Sequence, residues 1–173
     1  MRQYIRDILI TIVIAVVIFL GLRFTIGTFE VYGTSMVPNI LPSDYIMADK
    51  VSYHFREPER GEVIILNSPQ QAEKDLIKRV IGLPGDTVEI KDSKVYVNGV
   101  IIDEPYIKEP INGDYAKHTI PPDSYFVLGD NRNVSADSRT GWFLPRDDII
   151  GRAMVIYWPF NRMKIVEHYT YNI

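Results

Sequence analysis

A single apolar run near the start of the chain restricts what this sequence can become. Residues 8–22 are apolar except for Thr11, with Gly21 near the end. Arg23 follows, and then Phe24-Thr25-Ile26-Gly27-Thr28-Phe29. The strictly apolar part is short for a bilayer span of ~20 residues. Counting on to Phe29 makes it long enough, with Arg23 snorkelling to the interface. A buried helix of a soluble domain is disfavoured because the run is apolar on every face. A secretory signal peptide fits the length of the core, but no small-x-small cleavage site follows it. The run reads as an uncleaved single-span anchor. Arg2, Arg6 and the α-amino group precede it, and this cationic bias places the N-terminus in the cytoplasm and the rest of the chain outside.

Where the run ends, Gly33-Thr34-Ser35-Met36-Val37-Pro38 begins. Gly/Ser/Pro clusters are mostly turns with solvated hydroxyls. The competing reading is a nucleophilic serine, Ser35, held at the membrane face.

The remainder, about 140 residues, suits one domain with one sizeable core. Net charge is −3, which gives no footprint for nucleic acid. With no cysteines the chain has no disulfide framework, cysteine nucleophile or thiolate zinc site. After Phe29 no long segment has helical period. Strands are expected at 45–48, 51–53, 62–66, 76–82, 87–90, 94–97, 100–102, 125–128 and 149–157. Lys91-Asp92-Ser93 and Asn98-Gly99 read as hairpin turns, and Leu83-Pro84-Gly85-Asp86 as a tight turn. A polar loop is expected at 68–75 and a surface excursion at 103–123. Short strands with turn signals this regular indicate an all-β sandwich or barrel.

Lys78 stands in the apolar strand Leu76-Ile77-Lys78-Arg79-Val80-Ile81, where alternation sends Lys78 and Arg79 to opposite faces. Alone, it is best read as an exposed edge lysine that discourages aggregation. The functional reading is a desolvated lysine whose pKa falls enough to take a proton from a serine hydroxyl. A third cluster runs from Gly129-Asp130-Asn131-Arg132 to Ser135-Ala136-Asp137-Ser138-Arg139. Singly, its residues read as a polar loop with Asx turns. Together they can support a site, with Ser135 holding an amine and Asp137 paired to Arg139.

The order Ser35-Met36-x-Pro38, Arg60-Gly61-Glu62-Val63, Lys78-Arg79-Val80-Ile81-Gly82-Leu83-Pro84-Gly85-Asp86, then the Gly129 to Arg139 cluster, resembles that of type I signal peptidases (peptidase family S26) in a short bacterial form. The resemblance runs from the anchor to about Tyr157. It implies a mainly β fold: a coiled antiparallel β catalytic core with a small β-rich insertion near 90–124, preceded by one transmembrane helix. The corresponding division is an anchor over 1–29 and an extracytoplasmic catalytic domain over 30–173. It implies Ser35 as nucleophile with its own N–H in the oxyanion hole, Lys78 as general base, Ser135 orienting the lysine, and Asp137 and Arg139 as a supporting pair. It implies no metal or organic cofactor. The implied partners are exported precursor proteins and the lipid bilayer.

Three positions depart from the family pattern. Asn39-Ile40 stand where Thr-Leu is usual, Glu62 stands for Asp, and Thr140-Gly141-Trp142-Phe143 replaces an aromatic followed by Gly. Some relatives also supply an oxyanion donor from a serine two positions before the nucleophile; here that residue is Gly33. A catalytically silent relative acting in binding or assembly of surface proteins is the alternative, and retention of both Ser35 and Lys78 argues against it. A self-cleaving repressor would need a helical DNA-binding domain in place of the anchor. Trp142-Phe143 and Trp158-Pro159-Phe160 read as core or rim residues, with the bilayer interface as a second possibility. His54, His118 and His168 lack ligand spacing and read as ordinary.

Overall fold

The computed structural model describes residues 2–171 and 173. The apolar run is a helix, α1 (Arg2–Thr25), whose described side chains are exposed up to Phe24. Gln3–Thr25 is long and apolar enough to cross a membrane, with a mean hydropathy of 2.6 over its most apolar 18 residues. The chain then becomes β-structure: β1 (Ile26–Glu30), β2 (Tyr45–Asp49), β3 (Val63–Ser68), β4 (Gln71–Gly82), β5 (Thr87–Lys91), β6 (Lys94–Val97), β7 (Val100–Ile101), β8 (Tyr115–Thr119), β9 (Ser124–Leu128), β10 (Leu144–Pro145), β11 (Ile149–Trp158) and β12 (Lys164–Ile165). Every pairing among them is antiparallel. The expected mainly β class with one apolar N-terminal helix is the observed one.

The larger sheet runs β1-β2-β11-β3-β4-β9-β10, with β12 on β11. Register shifts at Ala153/Val155 and Ile156/Trp158 of β11, and again where β11 meets β3, are bulges that increase local twist and bend the sheet on itself. A smaller sheet, β7-β6-β5-β8, covers part of it. Val88, Ile90, Val95 and Val97 of the smaller sheet share a core with Ile81, Phe126 and Leu128 of the larger one.

Three expectations fail for local reasons. Residues 51–53 form a 3-10 turn (Ser52–His54) rather than a strand. The Asp49 carboxylate accepts from the backbone N–H groups of Val51 and Ser52 and from the Ser52 hydroxyl, and so captures the donors a strand would need. Residues 68–75 are not a loop: β3 and β4 continue as a two-stranded ribbon, pairing Asn67 with Asp75 and Ser68 with Gln71. Asn67, Lys74 and Asp75 are exposed, so no apolar alternation marks that ribbon. The expected excursion contains β8, whose residues from Ala116 to Thr119 are all exposed.

Candidate active site

Ser35 sits on a turn in which the Asn39 and Ile40 N–H groups both donate to the Met36 carbonyl, each at 3.0 Å. Met36 and Ile40, four residues apart, insert into the core with Val31, Ile46, Val63 and Ile156. Burying two such side chains stabilises the turn by about 3–6 kcal/mol. It fixes the backbone while leaving the preceding serine at the surface of a groove.

Lys78 is not an exposed edge lysine. It is 2% exposed, and its Nζ donates to Ser35 Oγ at 2.8 Å and to the Ile77 carbonyl at 3.0 Å. Burial pushes its pKa down to about 8; Lys74 acts in the same direction, while Asp137 and Asp130 oppose the fall. Alternation does send Arg79 to the other face, but that face is buried too: Arg79 is 1% exposed and forms a bidentate pair with Asp130, Nε to Oδ1 at 2.9 Å and Nη2 to Oδ2 at 2.8 Å.

The loop after β9 lies beneath the pair. Asp137, fully buried, accepts from Arg139 Nε at 2.7 Å and Nη2 at 2.9 Å, and from the Gly129 N–H at 3.1 Å. Arg139 Nη2 also donates to the Arg132 carbonyl at 2.6 Å. Ser135 Oγ is buried with no hydrogen-bond partner among the described residues, and Lys78 is not bonded to it. It lies against Gly129, where a Cβ would stand 2.3 Å from Ser135 Oγ and 2.5 Å from the Ser35 carbonyl oxygen. Only glycine lets the loop approach this closely. The Asn131 N–H donates to that same Ser35 carbonyl at 2.8 Å.

The groove beside Ser35 has a volume of about 710 Å³. One wall is residues 28–35 and the other residues 74–78 of β4, and Val134 and Ala136 also line it. β4 pairs with β9 only from Arg79 onward, so its outer edge at 74–78 carries no partner strand among the described residues. Among those residues no three His, Asp or Glu side chains converge as metal ligands.

Sequence reasoning passed over several residues. Arg79 and Asp130 form the buried pair behind Lys78. An arginine in an apolar strand demanded a buried carboxylate, and that was the available signal. Ser138 is buried and accepts from the Val127 N–H at 3.0 Å, pinning the loop to β9. The departures also find roles. Asn39 Nδ2 donates to Asp130 Oδ2 and to the Tyr106 carbonyl, both at 2.8 Å. Glu62, with its longer reach, accepts from the Tyr53 hydroxyl at 2.9 Å and from Arg56 Nη2 at 2.6 Å, and forms an ion pair with Arg152 at 2.8 Å. Trp142 and Phe143 pack against the cores of the larger and smaller sheets.

The family described as "Signal peptidase, peptidase S26" matches residues 1–158. The chain belongs to the signal peptidase S26 family. Among relatives of this signal peptidase, a probable signal peptidase I-2 of Synechocystis sp. is 42% identical over 163 residues, covering 90% of this chain and 74% of the relative. A signal peptidase I P of Bacillus subtilis subsp. natto is 39% identical over 165 residues and 88% of each chain. The crystal structure of a signal peptidase I from Enterococcus faecalis V583 superimposes with a TM-score of 0.51 at 35% identity, covering 56% of this chain and 97% of that one. By membership, this signal peptidase is a hydrolase of the signal peptidase I kind.

Proposed function

We propose that this protein is a membrane-anchored serine endopeptidase that removes signal peptides from exported precursors, using Ser35 as nucleophile and Lys78 as general base. The observation that carries the reading is a buried lysine, with a pKa lowered to about 8, whose Nζ lies 2.8 Å from a groove-facing serine hydroxyl.

The precursor enters the groove as an extended strand and takes main-chain hydrogen bonds from its two walls. Small side chains at the first and third positions before the cut fit beside Ser35 and Ala136. Neutral Lys78 accepts the Ser35 proton while Oγ attacks the carbonyl carbon. The Ser35 N–H, which donates to no other group among the described residues, stabilises the oxyanion. Lys78 then gives its proton to the leaving amine as the C–N bond breaks. Water attacks the acyl ester, Lys78 accepts its proton, and Ser35 is released. Ser135, whose Oγ is buried and without a hydrogen-bond partner among the described residues, is assigned the role of holding the neutral amine. The Asp137–Arg139 pair fixes the loop that carries it.

Helix α1 provides the anchor, with the catalytic domain on the outer face. The exposed Trp158, Phe160, Met163 and Ile165 are placed in the bilayer interface, where aromatic and apolar side chains are favoured. Tryptophan fluorescence of Trp158 that ignores added vesicles would remove that placement.

The function is tested with a purified precursor bearing a small-x-small site, in detergent, against wild type, Ser35→Ala and Lys78→Met. Cleavage by wild type and its loss in both variants is expected. Efficient cleavage by Lys78→Met would reassign the base.

A further inference from the structure

Behind the Ser35–Lys78 pair, on the opposite face of β4, several separate parts of the chain meet at one guanidinium. The Arg79 side chain holds Asp130 in a bidentate pair, and its Nη1 donates to the Gly61 carbonyl at 2.8 Å and to the Glu167 carbonyl at 3.0 Å. The Tyr106 ring stacks 4.2 Å from it and the Tyr169 ring 5.1 Å from it. Asp130 in turn accepts from Asn39, four residues beyond the nucleophile, and its neighbour Asn131 holds the Ser35 carbonyl. The serine turn and the lysine strand are therefore tied to the same ion pair.

Residues 166–171, which follow β12, close over this node. The Val166 N–H donates to the Met154 carbonyl at 2.8 Å, and His168 Nδ1 accepts from the Val63 N–H at 3.1 Å. The Tyr169 N–H donates to the Gly61 carbonyl at 3.3 Å. Gly61 has φ +87, and a Cβ there would lie 1.6 Å from the Tyr169 carbonyl oxygen, so the strap needs glycine beneath it. The Tyr106 and Tyr169 rings are 4.7 Å apart, and the Tyr106 and Tyr171 hydroxyls share a hydrogen bond. A buried ion pair holds its geometry only while water is excluded and its donors stay matched. The Tyr169 ring and the Glu167 carbonyl of this segment supply both conditions to Arg79.

We propose that residues 166–171 form a strap that positions the Ser35–Lys78 pair, with Tyr169 as its principal positioning residue. The inference rests on the dyad reading above. Tyr169 touches neither reacting group; it acts through Arg79 and Asp130.

The test uses the full chain in detergent with a cleavable precursor, comparing wild type, Ser35→Ala, Tyr169→Ala and Tyr169→Phe. Misplacement of reacting groups lowers turnover more than binding, so Tyr169→Ala should lower kcat about tenfold or more while KM stays within about twofold. Amide exchange should quicken in the Ser35 turn and at Lys78 to Val80 and remain unchanged in β5 and β6. Tyr169→Phe keeps the ring and should restore kcat to within about twofold of wild type. A Tyr169→Ala enzyme with unaltered kcat, or a Tyr169→Phe enzyme as impaired as Tyr169→Ala, overturns the strap. Should Tyr169→Ala not fold, Asn39→Ala tests the other arm of the node: the same loss of kcat is expected, and an unchanged kcat overturns the proposal. Cleavage by Ser35→Ala would instead sink the dyad reading. A dead Ser35→Ala beside a fully active Tyr169→Ala sinks the strap alone.

Discussion

Lys78 pays twice for its place: its ammonium is desolvated, and the fold is the less stable for it. With the folded pKa lowered to about 8 and an unfolded value of roughly 10.4, the unfolded chain binds the extra proton between those limits. Stability from this group therefore rises with pH across about 8 to 10.4 and is lowest below it, by on the order of 3 kcal/mol at pH 7. Lys78→Met, which removes the charge, should raise the melting temperature at pH 7 by roughly 5 °C or more while abolishing cleavage. Because the base must be neutral, kcat/KM should climb with pH and reach half its plateau near pH 8; a profile flat from about pH 6 to 9 would exclude Lys78 as the base. Gly33 offers a second test. A Cβ there meets nothing within 4 Å, so Gly33→Ser fits, and the donor it adds should raise kcat by about tenfold with little change in KM. Ser35 drew notice by its place just after the apolar run and Lys78 by standing in an apolar strand, but alone each had an ordinary reading, and the resemblance joined them. Asp130 did not stand out as Arg79's partner, because the two lie 51 residues apart and an aspartate in a polar loop is ordinary alone.

The loop from Gly129 to Arg139 owes its shape to buried polar groups more than to apolar packing. Asp137 satisfies the Gly129 N–H and two nitrogens of Arg139. Replacing Asp137 with Ala leaves a largely buried guanidinium without its carboxylate, and should cost about 3–5 kcal/mol in urea unfolding. Asp137→Asn, which keeps an acceptor, should cost less. His168 gives the strap a pH dependence. Burial, with Arg152 and Arg79 nearby and Glu62 opposing, lowers its pKa to about 4. Its contribution to stability is then present above the ordinary histidine range and lost as pH falls from about 6.5 toward 4, because a proton on Nδ1 removes the acceptor for the Val63 N–H. Thermal melts at pH 7 and pH 4.5 should show the loss in wild type and much less of it in His168→Asn. Elements with apolar alternation, such as β5 and β6, were legible in the sequence. The outer ribbon and β8 were not, because exposed strands carry no such period, and 51–53 was misread because one aspartate side chain redirected the backbone.

At the scale of the molecule, short β-strands and turns indicated the β class, and the resemblance supplied the coiled form. Periodicity alone cannot show that β1 and β4, with three strands between them in the sheet order, end as facing walls of one groove. That closure depends on the bulges of β11, which have no clear sequence signature. One junction has a further consequence. Helix α1 ends at Thr25 and β1 begins at Ile26, with no linker between them. Ser35 is thus tethered ten residues beyond the helix, a span of at most ~35 Å. If α1 spans the bilayer, the enzyme works as a depth gauge, selecting bonds by their height above the membrane as well as by the residues around them. Moving a precursor's cleavage site about five residues, ~17 Å when extended, further from its apolar helix should slow cutting. Inserting a flexible linker between Thr25 and Ile26 should relax that limit.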